Sequence, residues 1–248
     1  GNVALRSLPA QGEGIIRQGS SIRPGEQMLT ANRKLTPAHL GILRLTGVER
    51  LSVYRKPRVT VVPVGQNCQP AGNSLLPGQA VEADSILISS VIQECGGISR
   101  VLPPVVGTEA NIEDVIVTES SQCDLLILIG GIGKRGARYG DHAVAAIQKI
   151  GRIILQGVQI APGGTNLLFA EVNGTCIMGI PGPPHGALMI TEQFLPPIME
   201  QFLHCPCWER QEIEVVLGAD FTSQGKTPYL ARPALHWNGQ DYEMTPLR

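Results

Sequence analysis

The sequence lacks an excess of charge of either sign: 20 lysines and arginines stand against 21 acidic residues, a formal net charge of −1. No global field therefore favours nucleic acid or an anionic membrane, and any anion binding has to be local. Long hydrophobic runs are missing as well. No apolar stretch approaches the roughly 18 residues of a membrane span, so no transmembrane helix is expected. The chain opens on glycine with no basic-then-apolar leader, and a secretory signal is not expected. No internal repeat and no low-complexity run occurs. The six cysteines, at 68, 95, 123, 176, 205 and 207, are scattered rather than paired. Cys95 and Cys176 sit inside apolar segments, the pattern of reduced, packed thiols, and a cytoplasmic home follows as an expectation.

What is present is material for a core. The 248 residues are 43% hydrophobic, enough for one large domain or two smaller ones. Residues 1–57 are rich in glycine and proline, with one plausible helix from Pro37 to Thr46 capped by Thr36. They read as an irregular entry segment or part of a domain. From residue 58 the texture changes. "RVTVVPVG" is a β-branched strand, and Leu87, Ile88, Val91, Ile92 and Cys95 share one helical face, with Asp84 or Ser85 as cap and Gly96 as stop. A helix near Asn111 to Ser120, a strand from Asp124 to Ile129, a helix near His142 to Ile150 and a strand from Arg152 to Leu155 follow. Such alternation predicts parallel strands with helical crossovers over 58–206. Asn173-Gly174-Thr175 has the form of a glycosylation sequon but reads as a hairpin turn. Pro196-Pro197 is expected to kink or interrupt the helix around it. Residues 207–248 show period-two patterning with a second Asn-Gly turn at 238–239, a small all-β domain.

Glycine-rich turns carry the functional signal. "LLILIGGIGKRGARYGD" runs from a strand into Gly131-x-Gly133-x-x-Gly136, the spacing of a dinucleotide turn. A carboxylate for the ribose should follow about 20 residues on, and none stands in "RIILQGVQIAPGG". "GKT" at 225–227 lacks the first glycine of a P-loop and runs into Pro228. "HCPC" at 204–207 has no second ligand pair and reads as a junction turn with free thiols. "APGGTN" at 161–166 and "IPGPPHG" at 180–186 also follow apolar strands. In an open α/β sheet such turns converge on the ligand crevice, where glycine lets backbone N–H groups approach an anion. Lys134, Arg135 and Arg138 point to a phosphate or oxyanion there.

At these residues the chain resembles the family of MoeA and gephyrin E-domain proteins. "GEGIIRQGSSIRPGE", "LTPA" and "VYRKPRV" match in order, and the glycine turn, "APGG" and "IPGPP" follow at family spacing. The resemblance implies a three-layer α/β/α molybdopterin-binding domain of the MogA/MoaB type over 58–206, flanked by the β-rich segment 1–57 and the C-terminal β-domain 207–248. It implies a role in molybdenum cofactor biosynthesis, where adenylylated molybdopterin is cleaved and molybdate inserted into its dithiolene.

The departures lie in the chemistry. Family Thr-Gly-Asp-Glu is Val64-Gly65-Gln66-Asn67 here, two amides for two carboxylates. Asp-Ser-Asn is Glu82-Ala83-Asp84. The turn Ile129-Gly130-Gly131-Ile132-Gly133 is nearer the GGTG turn of MogA and MoaB, with Asp141 as the trailing aspartate. Both lysines of Lys-Pro-Gly-Lys-Pro are gone from Ala161-Pro162-Gly163-Gly164-Thr165, and Pro-Gly-Asn-Pro reads Pro181-Gly182-Pro183-Pro184. The resemblance thus implies that Gly130, Gly131, Gly133, Lys134, Arg135, Arg138, Gly163, Gly164, Thr165, Pro181, Gly182 and Pro183 hold a pterin phosphate. Glu82 and Asp141 would serve catalysis by holding Mg2+. Three functions stay open: a molybdotransferase with altered or lost activity, a non-catalytic binding or sensing protein, and a MogA-like adenylyltransferase. The expected partners are small molecules, molybdopterin and molybdate, with no nucleic acid and no membrane. The inserted domain that often serves dimer formation in the family falls outside these residues, and a homodimer stays open.

Overall fold

A computed structural model describes residues 10–65, 67–133, 142–208, 211–221 and 227–247. The chain divides into two compact units between Leu51 and Ser52.

The described residues of the first unit form one helix, α1 (Pro37–Leu45), and no strand, which differs from the expected β-rich segment. The reason is local. Gly12, Gly14, Gly19 and Gly25 all take positive φ, and turn hydrogen bonds such as Ser20 N–H to the Arg17 carbonyl close the chain on itself. Left-handed residues at this density break a period-two pattern before a ladder forms. Helix α1 begins as its sequence predicts, with Thr36 as cap and proline in the first turn. The His39 side chain accepts from the Thr36 N–H, in the place a glutamate usually takes in a capping box.

The second unit starts six residues before the expected boundary, because Arg55 pairs with Asp124 and the Tyr54 ring lies 4.2 Å from that of His204. Its elements are β1 (Arg58–Pro63), the short parallel pair β2 (Cys68–Gln69) and β3 (Ala80–Val81), α2 (Asp84–Glu94), β4 (Ile98–Val101), α3 (Glu109–Ser120), β5 (Leu125–Ile129) and α4 (Ala143–Ile150). They continue with β6 (Arg152–Gln156), β7 (Leu168–Val172), β8 (Thr175–Ile180), α5 (Pro184–Leu203), β9 (Val216–Leu217), β10 (Pro233–Trp237) and β11 (Tyr242–Pro246).

The main sheet has the order β4-β1-β5-β8-β7-β6. Strands β4, β1, β5 and β8 are parallel, and β7 runs against both of its neighbours. All five residues of β5 are buried, as a central strand covered on both faces requires. Alternate side chains feed two cores. Val59, Val61, Leu125, Ile127 and Ile129 pack with residues of α2 and α5. Val62, Leu126 and Leu128 pack with Ile112, Ile116, Ala146 and Ile147 of α3 and α4. Three layers result, each fully buried aliphatic side chain contributing about 1.5–3 kcal/mol.

Between β7 and β8 lies the two-residue turn Asn173-Gly174, with φ of +52° and +79°, the left-handed pair a tight hairpin needs. Helix α5 runs through Pro196 and Pro197 without interruption. Both prolines remove a backbone donor, but Leu195, Pro196 and Met199 bury one face of the helix in the core, and that packing outweighs the missing bonds. The C-terminal strands form a separate sheet, β10-β11-β9. Its Asn-Gly turn widens to four residues because the Asn238 side chain accepts from the N–H groups of Gln240 and Asp241, at 2.9 Å each.

Candidate functional site

Strands β1, β5 and β8 lie side by side and point the same way, so the turns that follow them share one edge of the sheet. Their backbones touch. Gly130 takes φ +84°, and a Cβ there would stand 2.8 Å from the Val64 carbonyl oxygen and 3.8 Å from Gly182 Cα. The Gly130 N–H donates to the Ile180 carbonyl at 2.9 Å. Gly163, at φ +88°, is enclosed in the same way: its Cβ would meet Pro181 Cγ at 2.8 Å and the Gly186 carbonyl at 3.1 Å. No other residue type satisfies both the left-handed backbone and the close approach. Gly130, Gly163, Pro181 and Gly182 are therefore brought together, and Gly131, also left-handed at φ +71°, continues the turn. Gly164 and Thr165 form a short 3-10 turn next to Gly163, and Pro183 caps α5. Gly133 is the last described residue of the β5 loop. Lys134, Arg135, Arg138 and Asp141, and Gln66 after β1, lie outside the described residues.

The segment between β1 and α2 adds a carboxylate pair. Cys68 packs its sulfur 3.0 Å from where a Gly65 Cβ would be, and the charges of Glu82 and Asp84 bear on its thiol. Burial first, then those two charges, push the Cys68 thiol up. Glu82 caps α2: one oxygen accepts from the Ser85 N–H at 2.7 Å and the other from the Ser85 hydroxyl at 2.5 Å. Asp84 differs. Its Oδ1 is buried with no hydrogen-bond partner among the described residues, and burial, helped by the Glu82 charge, pushes the carboxyl up to about 6.

Asp84 is the residue that sequence reasoning passed over. It stood in the motif Glu82-Ala83-Asp84, but as a helix cap. The structure gives the capping role to Glu82 and leaves Asp84 the available carboxylate. A partly buried acid of raised pKa is a functional signal, and its position as the first residue of a helix was the available clue. "HCPC" holds two cysteines outside any disulfide, the Cys207 sulfur lying 3.5 Å from the Pro196 carbonyl. Among the described residues no three His, Cys, Asp or Glu side chains group as a metal site, and no helix is long and apolar enough to cross a membrane.

A three-layer sandwich with glycine turns at one edge and an adjacent acid defines an α/β ligand-binding domain. The family model described as "Probable molybdopterin binding domain" matches residues 70–201, more than half of the chain. The chain belongs to that family. It is 26% identical over 212 residues to the molybdopterin molybdenumtransferase of Haemophilus influenzae, covering 85% of this chain and 51% of that protein. To molybdopterin molybdenumtransferase 2 of Mycobacterium tuberculosis it is 27% identical over 241 residues, 92% of this chain and 57% of that one. The chain thus spans about half the length of the curated relatives it matches. The crystal structure of the molybdopterin biosynthesis moea protein from Pyrococcus horikosii superposes with a TM-score of 0.68 at 23% identity, over 76% of this chain and 46% of that one, a likeness of fold.

Proposed function

We propose that this chain is the pterin-phosphate-binding part of a MoeA-type protein of molybdenum cofactor biosynthesis, with molybdopterin or its adenylylated form as ligand and molybdate as the second small molecule. The observation that carries this reading is the contact between the turns after three adjacent strands, with Gly130 against Val64 and Gly182, and Gly163 against Pro181 and Gly186. Such packing brings the backbones of the three turns to one edge, where phosphate oxygens can approach closely. Lys134, Arg135 and Arg138 supply the positive charge that family lysines provide elsewhere. Action in the cytoplasm agrees with six cysteines that stand outside any disulfide.

The donor set fits Mg2+ through Asp84 rather than through Glu82. Magnesium is held by one or two carboxylates together with waters and substrate phosphates. The unpartnered, buried Oδ1 of Asp84 offers one such ligand, while both oxygens of Glu82 are engaged by Ser85. Asp141 is the second carboxylate of the proposal. The ion would neutralise charge on the phosphoanhydride. The protein's own part is to orient the phosphates on the glycine turns and to hold positive charge beside them, with no protein nucleophile.

The second reading is a binding protein without turnover. Asn67 at the β1 turn and the capping duty of Glu82 favour it, since both reduce the charge free for a metal. Purified protein given adenylylated molybdopterin, magnesium and molybdate separates the two. AMP release with metal insertion is the transferase result. Tight binding without turnover selects the second reading, and AMP transfer from ATP would select a MogA-like adenylyltransferase over both. Replacing Lys134, Arg135 and Arg138 together with alanine is expected to abolish pterin-phosphate binding. Unchanged affinity would remove the role proposed for that loop.

A further inference from the structure

The third glycine turn is held from outside the main sheet. The Ala161 N–H donates to the Pro228 carbonyl at 2.9 Å, and the Ala161 carbonyl accepts from the Leu230 N–H at 2.7 Å, with Tyr229 bridged opposite Ala161. Pro162 and Gly163 follow at once. Two residues beyond Leu230, the Arg232 guanidinium pairs with Glu192 on α5. The Arg232 carbonyl also accepts from the Leu247 N–H at 3.1 Å, so the same short strap is continuous with the C-terminal sheet. On its inner side the turn has no slack, because Gly163 is pressed against Pro181 and Gly186. The turn is thus clamped between the start of α5 and a strap anchored further along that same helix.

We propose that Arg232 is a positioning residue for the ligand site: its ion pair with Glu192 keeps the strap 227–232 on Ala161 and so fixes the Gly163–Thr165 backbone that meets the phosphate. This rests on the pterin-phosphate reading given above. The pair is a poor candidate for a purely structural role. Its side chains are 43% and 30% exposed, and exposed ion pairs contribute little to global stability. What it can do is select one placement of the strap, and a small displacement of a binding backbone is costly in affinity.

The test compares molybdopterin binding to the full chain and to Arg232→Ala by calorimetry, with thermal unfolding and amide exchange of Leu230 measured alongside. Arg232→Ala should weaken binding about fivefold or more, speed Leu230 exchange in the ligand-free protein, and leave the unfolding midpoint nearly unchanged. The exchanged pair, Arg232→Glu with Glu192→Arg, should recover most of the affinity. Equal affinity for the wild type and Arg232→Ala overturns the inference, as does loss of affinity only in proportion to loss of folded protein. Should Arg232→Ala fail to fold, Glu192→Gln breaks the pair from the helix side and is read in the same way. A wild-type chain that does not bind molybdopterin contradicts the underlying functional reading instead, and exchange at Leu230 still reports whether the ion pair holds the strap.

Discussion

At the edge of the main sheet where β1 and β5 begin, Asp124 accepts two bonds from the Arg55 guanidinium, at 2.6 Å each, and one from the Arg58 N–H at 2.7 Å. Close by, the Thr175 hydroxyl donates to the Ser120 carbonyl at 2.5 Å, Glu119 pairs with Arg100, and Asn173-Gly174 closes a tight hairpin. At the opposite edge, where the same strands end, left-handed glycines pack backbone to backbone and Asp84 keeps a buried oxygen without a partner. At the first edge the carboxylates of Asp124 and Glu119 are each paired with an arginine. The second holds a carboxylate oxygen that no described residue partners. The proposed function assigns stability to one edge and the ligand to the other.

Gly130→Val is the harshest way to break that contrast. A left-handed backbone costs an L-residue about 1–2 kcal/mol, and the clash with the Val64 carbonyl adds an overpacking cost of about 1–3 kcal/mol. Denaturant unfolding should show the sum, and molybdopterin binding should vanish. Asp124→Ala at the other edge should lower stability by about 1–3 kcal/mol through its lost charge-assisted bonds while leaving the affinity of the folded protein intact. A loss of binding there, with the fold retained, would erase the distinction between the edges.

The two aspartates should also respond to pH in opposite directions. Hydrogen bonding and charge from Arg55 hold the Asp124 carboxyl below its ordinary range. Its contribution is fully present above the ordinary carboxylate value and is lost as pH falls through the lower folded value. Acid-unfolding curves of Asp124→Asn should lack that part of the loss. Asp84, pushed up to about 6, binds more protons folded than unfolded between the ordinary carboxylate range and pH 6, so its charge opposes folding above that window. Asp84→Asn should raise stability at pH 7.5 by up to about 1 kcal/mol, solvent screening keeping the gain small, and should weaken magnesium-dependent pterin binding. Greater stability with unchanged binding would make the acid incidental. The smallest change is Asn173→Ala, at φ +52° in the hairpin, with an expected cost of about 1 kcal/mol and no effect on binding.

Much of the fold was legible because its signals are local. The apolar run of β5, the Thr36 cap, the Gly96 stop and the Asn173-Gly174 hairpin each declare themselves within a few residues, and the structure has them there. The continuity of α5 through two prolines was not legible, since it depends on what buries that face of the helix. Nor could spacing show which acid of Glu82-Ala83-Asp84 would be consumed by Ser85, a matter of side-chain geometry at one helix start. The bond between Ala161 and the strap at 228–230 joins segments far apart in the chain, and no pattern in either segment announces it.

The most direct measurement of the central claim is amide exchange across the full chain with and without molybdopterin. Protection on binding is predicted at the glycine turns 130–133, 163–166 and 182–186, with no change at the Asn173-Gly174 hairpin or around Asp124. Protection centred on the Asp124 edge, or on the helix Pro37–Leu45 with the glycine turns unaltered, would contradict the account.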